Sequence, residues 1–150
     1  MTKIDLTDSL EKIPVKIFTD SRSGSAFVAI QIAVLIKEKE AAGKKPVIGL
    51  ATGSSPKTLY AELVRMHKEE GLSFKNVITF NLDQYYPMDK DALQSYHYFM
   101  RKNLFEQTDI DPGNYHLPDG MIPKDKVKEH CVNYEKQIED AGGLDLLVNN

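Results

Sequence analysis

At 150 residues, 41% of them hydrophobic, the chain is long enough for one ordinary core, and its composition excludes disorder, collagen and coiled coil. The net charge of −3 mixes both signs with no basic cluster among aromatics, so the sequence predicts no nucleic-acid partner. The most apolar run, Ala26 to Ile36, is broken by Gln31 and falls short of the roughly 18 residues of a membrane span, so no membrane partner is expected either.

In chain order, Val15 to Thr19 ("VKIFT") predicts a short strand. A turn and a long helix from about Ser23 to Ala42 follow. The first half of that helix is apolar on most of its circumference, as expected of a helix wedged between a sheet and another element. "PVIGLA" is a continuous apolar run of the kind that forms a parallel strand buried on both faces. Pro56 to Glu70 has helical spacing through Leu59, Leu63 and Met66, with Gly71 as its cap. "NVITFNLD" predicts a second buried strand, Gln94 to Phe105 a helix with Tyr96, Phe99, Met100 and Leu104 on one side, and "YHL" near Tyr115 a short strand. Lys124 to Ala141 predicts a further helix whose stripe includes Cys131 as a small buried hydrophobe, and "LDLLV" begins a last strand.

Strands separated by helices argue for right-handed βαβ units. The expectation is a single α/β domain over 1–150, a three-layer α/β/α fold with a mostly parallel, Rossmann-like sheet. In such sheets ligands sit beyond the carboxyl ends of strands. That rule selects Ala51 to Pro56 and Asn81 to Tyr86.

In the first segment, Ser55 is placed as an N-cap and Pro56 as the first helical residue. Backbone N–H groups of the first turn and the helix dipole favour an anion there. Gly53 permits close approach, and Thr52, Ser54 and Ser55 add hydroxyl donors, a set suited to one phosphate monoester. The same residues also suit a plain helix start. A Walker A loop is excluded because Ser-Ser-Pro separates Gly53 from Lys57-Thr58, and a dinucleotide fingerprint because only Gly49 and Gly53 are present. In the second segment, Asp83 follows a buried strand and is placed to act as a general base, or simply to end the strand before Pro87.

The blocks "LATGSSPKTLY", "HKEEGLSFKNVITFNLDQYY" and "SYHYFM", in this order and spacing, resemble glucosamine-6-phosphate deaminases from about residue 15 to about residue 147. The wider superfamily, which includes the 6-phosphogluconolactonase hydrolases, shares the loop more loosely. The resemblance implies an aldose-ketose isomerase joined to a deaminase, converting glucosamine 6-phosphate to fructose 6-phosphate and ammonia in amino-sugar catabolism, with no metal or organic cofactor. It implies that Thr52, Gly53, Ser54 and Ser55 bind substrate phosphate and that Asp83 shuttles a proton between C2 and C1. Gln84 stands where the family has a second acidic residue, and is taken as a substrate contact; Ala51 stands where the family has proline.

Just after the strand matching "LDLLV", family members carry a glycine-rich block with a ring-opening histidine, whereas this chain stops at Val148-Asn149-Asn150. The expectation is a truncated sheet with uncovered apolar surface that drives self-association. None of the four histidines suits the missing role: His67 and His130 read as core-edge or solvated, and His97 and His116 fall in or near other elements. No metal-ligand spacing is present. A start without basic and apolar signal regions, together with a single cysteine, points to the cytoplasm. A non-catalytic sugar-phosphate-binding module is the alternative to an enzyme.

Overall fold

The computed structural model describes residues 13–149. The amino-terminal decapeptide read for a signal lies outside them. Helix α1 (Ser21–Ala41) starts earlier than the periodicity suggests, because Asp20 is its cap: the Asp20 carboxylate accepts the Ser23 N–H at 2.7 Å. It leads to strand β1 (Val47–Leu50), helix α2 (Lys57–Glu70), strand β2 (Ile78–Asn81) and helix α3 (Tyr96–Asn103). Strand β3 (Tyr115–His116), helix α4 (Val127–Asp140) and strand β4 (Leu146–Leu147) complete the order. Gly71 ends α2 with φ 71, and the next N–H, of Leu72, donates to the Met66 carbonyl at 3.2 Å, closing the helix as the sequence predicts.

The four strands form one parallel sheet in the order β3-β2-β1-β4. Strands β1 and β2 run in register from Val47↔Ile78 to Leu50↔Asn81. One face carries the core, where Ile48 and Leu50 pack with Ile32 and Ile36 of α1, Tyr60 and Leu63 of α2, and Met100 of α3. Each such aliphatic side chain, fully buried, contributes about 1.5–3 kcal/mol. On the other face Tyr134 of α4 meets the Phe80 ring at 5.6 Å, and its hydroxyl lies 2.9 Å from the Asn81 carbonyl and 3.0 Å from that of His116. Helices therefore flank a parallel sheet on both faces. Asp145 fastens β4 to the start of β1 by accepting the Val47 N–H at 2.9 Å while paired with Lys39. The Leu147 and Leu144 side chains pack over Gly49 of β1, where a Cβ would force their methyl ends to shift while the β4 backbone stays at ordinary contact distance.

Three expectations are corrected. Val15 to Thr19 is not a strand: residues 14–18 carry no regular structure, and Val15 and Ile17 are 62% and 83% exposed. A strand-forming composition needs an edge to pair along, and both edge strands of this sheet offer only two residues. Helix α1 is not wedged, since it buries Ala29, Ile32, Ala33 and Ile36 while Ile30 and Val34 face outward. Cys131 is exposed rather than buried, because α4 meets the sheet chiefly through Tyr134 and no residue of that helix is fully covered.

Candidate functional site

From the end of β1 the chain passes through Ala51 and Thr52, both buried, and turns at Gly53, whose φ of 115 is a conformation that side-chain-bearing residues rarely adopt. Ser54 and Ser55 follow, exposed. Ser55 does not cap α2 as expected. Pro56 itself takes the boundary position with helical dihedrals (φ −78, ψ −6), which leaves Ser55 one residue too early, and no side chain caps the helix. The turn closes instead through backbone, with the Lys57 N–H on the Ser54 carbonyl at 3.4 Å and the Tyr60 N–H on the Pro56 carbonyl at 2.9 Å. Beneath it the fully buried Tyr60 donates its hydroxyl to the Ala51 carbonyl, and burial pushes that phenol well above the usual tyrosine range.

One strand over, the Leu82 N–H and the Asn81 Nδ2 donate to the Leu50 carbonyl at 3.3 and 3.1 Å, tying the ends of β1 and β2 together. Asp83 follows, exposed. The Gln84 Oε1 accepts the N–H groups of Tyr85 at 2.9 Å and Tyr96 at 3.1 Å, while its Nε2 is buried without a partner. Ser95 caps α3, accepting the Tyr98 N–H at 3.0 Å and donating to the Lys90 carbonyl at 2.6 Å. The rings of Tyr85 and Tyr96 stand 4.7 Å apart.

Tyr96 joins the two segments. Its hydroxyl hydrogen-bonds with the Tyr85 and Thr52 side chains. The Tyr85 bond, burial and the nearby Asp83 charge hold the phenol above its ordinary range, against the opposing effect of Thr52. The Tyr96 phenol thus meets Thr52 with the Asp83 charge nearby, Gln84 holds the Tyr96 backbone N–H, and Gly53, Ser54 and Ser55 continue from Thr52 toward α2. Sequence periodicity alone places Tyr96 on an apolar helix face. The signal that marks it is its place directly after the Ser95 cap, at the helix end nearest the sheet edge. Beside Ser55 opens a largely apolar groove of about 540 Å³, walled by Gly24, Val28, Pro56, Leu59 and Leu147.

The histidines are engaged elsewhere. His67 Nδ1 lies 2.7 Å from the Leu72 carbonyl, His116 stacks on Phe80 at 4.6 Å, and His130 Nε2 accepts the Asp119 N–H at 3.1 Å. His97, held low first by burial, contacts the Pro118 carbonyl. Among the described residues no three His, Cys, Asp or Glu side chains are grouped to hold a metal ion, and no helix is long and apolar enough to cross a membrane.

The family model for glucosamine-6-phosphate isomerases and 6-phosphogluconolactonase matches residues 19–148. The chain belongs to this family. It is 47% identical over 139 residues to a glucosamine-6-phosphate deaminase-like protein of Bacteroides thetaiotaomicron, covering 93% of this chain and 21% of that protein. It is 47% identical over 125 residues to a glucosamine-6-phosphate deaminase of Treponema denticola, covering 83% of this chain and 46% of that protein. The structure superposes with a TM-score of 0.81 on a solved glucosamine-6-phosphate deaminase described as monomeric, at 34% identity over 89% of this chain and 53% of the other. It shares its fold with the 6-phosphogluconolactonase of Thermotoga maritima (TM-score 0.69, 23% identity, 88% of this chain and 56% of that one). The chain spans about half the length of the Treponema enzyme and of the solved deaminase, and about a fifth of the Bacteroides protein.

Proposed function

We propose that this chain binds a sugar phosphate at the Thr52–Ser55 corner and supplies Asp83 as the base of an aldose-ketose isomerisation coupled to deamination, with glucosamine 6-phosphate as substrate and fructose 6-phosphate and ammonia as products. The observation that carries the reading is the parallel register ending in Leu50↔Asn81, with phosphate-suited hydroxyls following one strand and a carboxylate following its neighbour. The Asp83 carboxylate takes the proton from C2 of the open-chain sugar and returns it to C1. The resulting C2 imine is hydrolysed by water, which releases ammonia. Anchoring the phosphate at the corner holds C1 and C2 within the carboxylate's reach, a contribution of position rather than of charge.

This reading places the protein in the cytoplasm, in N-acetylglucosamine catabolism, and includes self-association through the apolar groups left outside. Amide NMR spectra of the chain titrated with glucosamine 6-phosphate, inorganic phosphate and glucosamine test the corner. Shifts at residues 52–55 with the two phosphate-bearing ligands and none with glucosamine are expected. Equal responses to glucosamine, or none to phosphate, overturn the phosphate reading.

A further inference from the structure

Gln84 is adjacent to Asp83, yet its carboxamide oxygen is spent on the protein's own backbone. It accepts two N–H groups that lie in different elements: that of Tyr85 in the loop after β2 at 2.9 Å, and that of Tyr96 in the first turn of α3 at 3.1 Å. Helix α3 has eight residues, with Met100 buried in the core, and its first turn is held by side chains from the preceding loop. Ser95 holds that start to the Lys90 carbonyl, and Gln84 holds it to the Asp83 loop. From this start Tyr96 reaches Tyr85 ring to ring at 4.7 Å and meets Thr52, the buried first hydroxyl of the corner.

We propose that Gln84 is a positioning residue: one carboxamide oxygen clamps the Asp83 loop to α3 and so seats the Tyr96 hydroxyl between the Tyr85 and Thr52 side chains, making the loops after β1 and β2 one rigid unit. A carboxylate on an exposed loop samples many placements. A clamp one residue away reduces them, and a misplacement of about 1 Å at a reacting centre costs on the order of a hundredfold in rate. The role assigned to the clamp in catalysis rests on the function proposed above, whereas the clamp itself is measurable without turnover.

The test is a pH titration of the chain labelled with ¹³C at the tyrosine ring, read for the unaltered protein and for Gln84→Ala, Gln84→Glu and Tyr96→Phe. Tyr96→Phe assigns the resonance. In the unaltered chain Tyr96 titrates above the ordinary tyrosine range. In Gln84→Ala, with the amide spectrum still that of a folded protein, it moves back toward that range because the Tyr85 contact, the largest cause of the rise, is lost and outweighs loss of the opposing Thr52 contact. In Gln84→Glu, which keeps an acceptor at the same place, it stays raised. Should alanine unfold the loop, Gln84→Met retains the stem without the acceptor and gives the same comparison. A Tyr96 titration unchanged by Gln84→Ala or Gln84→Met overturns the clamp.

Ammonia release from glucosamine 6-phosphate is read on the same samples. Gln84→Ala is expected to lower kcat by roughly tenfold to a hundredfold with a smaller change in KM, and Gln84→Glu to recover most of it. Absence of ammonia from the unaltered chain, with Tyr96 still responding to residue 84, removes the deaminase reading and leaves the clamp. Ammonia release that is unaffected by loss of the clamp removes its catalytic role.

Discussion

Leu50 and Asn81 are register partners at the carboxyl ends of two parallel strands, and the Asn81 side-chain amide donates to the Leu50 carbonyl at 3.1 Å. Because this pair is fixed, Thr52 and Asp83, each two residues further on, leave the sheet at the same edge. Tyr96 of α3 then meets Thr52, with the Asp83 charge nearby.

Thr52→Val tests the bridge from the phosphate side. Valine keeps the volume of a side chain that is only 8% exposed but removes its hydroxyl. Losing one hydrogen bond of this kind weakens phosphate binding by about 1 kcal/mol, roughly fivefold. Isothermal titration with glucosamine 6-phosphate checks it, and an unchanged affinity places the hydroxyl outside the binding set.

Tyr60→Phe tests the floor of the corner. The Ala51 carbonyl loses its donor in a buried setting, which costs about 1–3 kcal/mol of stability. Urea denaturation measures the loss, and faster hydrogen exchange at residues 51–55 should accompany it.

Stability should fall on acidification in two stages. Burial holds His97 and His116 low, so the unfolded chain binds protons there first. Their contribution is present above the ordinary histidine range near 6.5 and erodes below it. Asp145 is also held low: burial opposes this, but the Lys39 pair and the Val47 N–H outweigh it. Its contribution is full above the ordinary carboxylate pKa of about 4 and is lost as pH falls through the lower folded value. Thermal melts from pH 8 to pH 3 should show both stages, and Asp145→Asn should flatten the second while lowering stability at neutral pH by about 1–2 kcal/mol.

Self-association is expected from the apolar side chains left outside, among them Ile30 and Val34 on α1, Val132 on α4 and Leu147 on β4. Sedimentation velocity should show a weight-average coefficient that rises with concentration. A constant monomer value contradicts the expectation.

The central strands and the two segments after them were legible in the sequence because a short parallel strand buried on both faces is strongly apolar and β-prone, uninterrupted in "PVIGLA" and broken only by Thr79 within the "VITF" of "NVITFNLD". What was not legible depends on partners distant in sequence. Val15 to Thr19 has a strand's composition, but pairing needs an open edge, and the edge strands are two residues long. The stripe of α4 marks a face without saying that anything covers it, and Cys131 is left exposed. At the site, Thr52 and Asp83 were readable from strand ends, whereas the engagement of Gln84 depends on Tyr96, twelve residues away. Ser55 has the sequence pattern of a cap because proline commonly occupies the first helical position, whereas here Pro56 stands at the boundary itself.

The most direct test of the central claim is ammonia release from glucosamine 6-phosphate by the purified chain beside Asp83→Asn, with binding of the sugar phosphate measured on both. Release by the chain, lowered at least a hundredfold in the variant while binding is unchanged, is the predicted result. Equal release by both proteins, or saturable binding with no release from either, contradicts the assignment of Asp83 as the base.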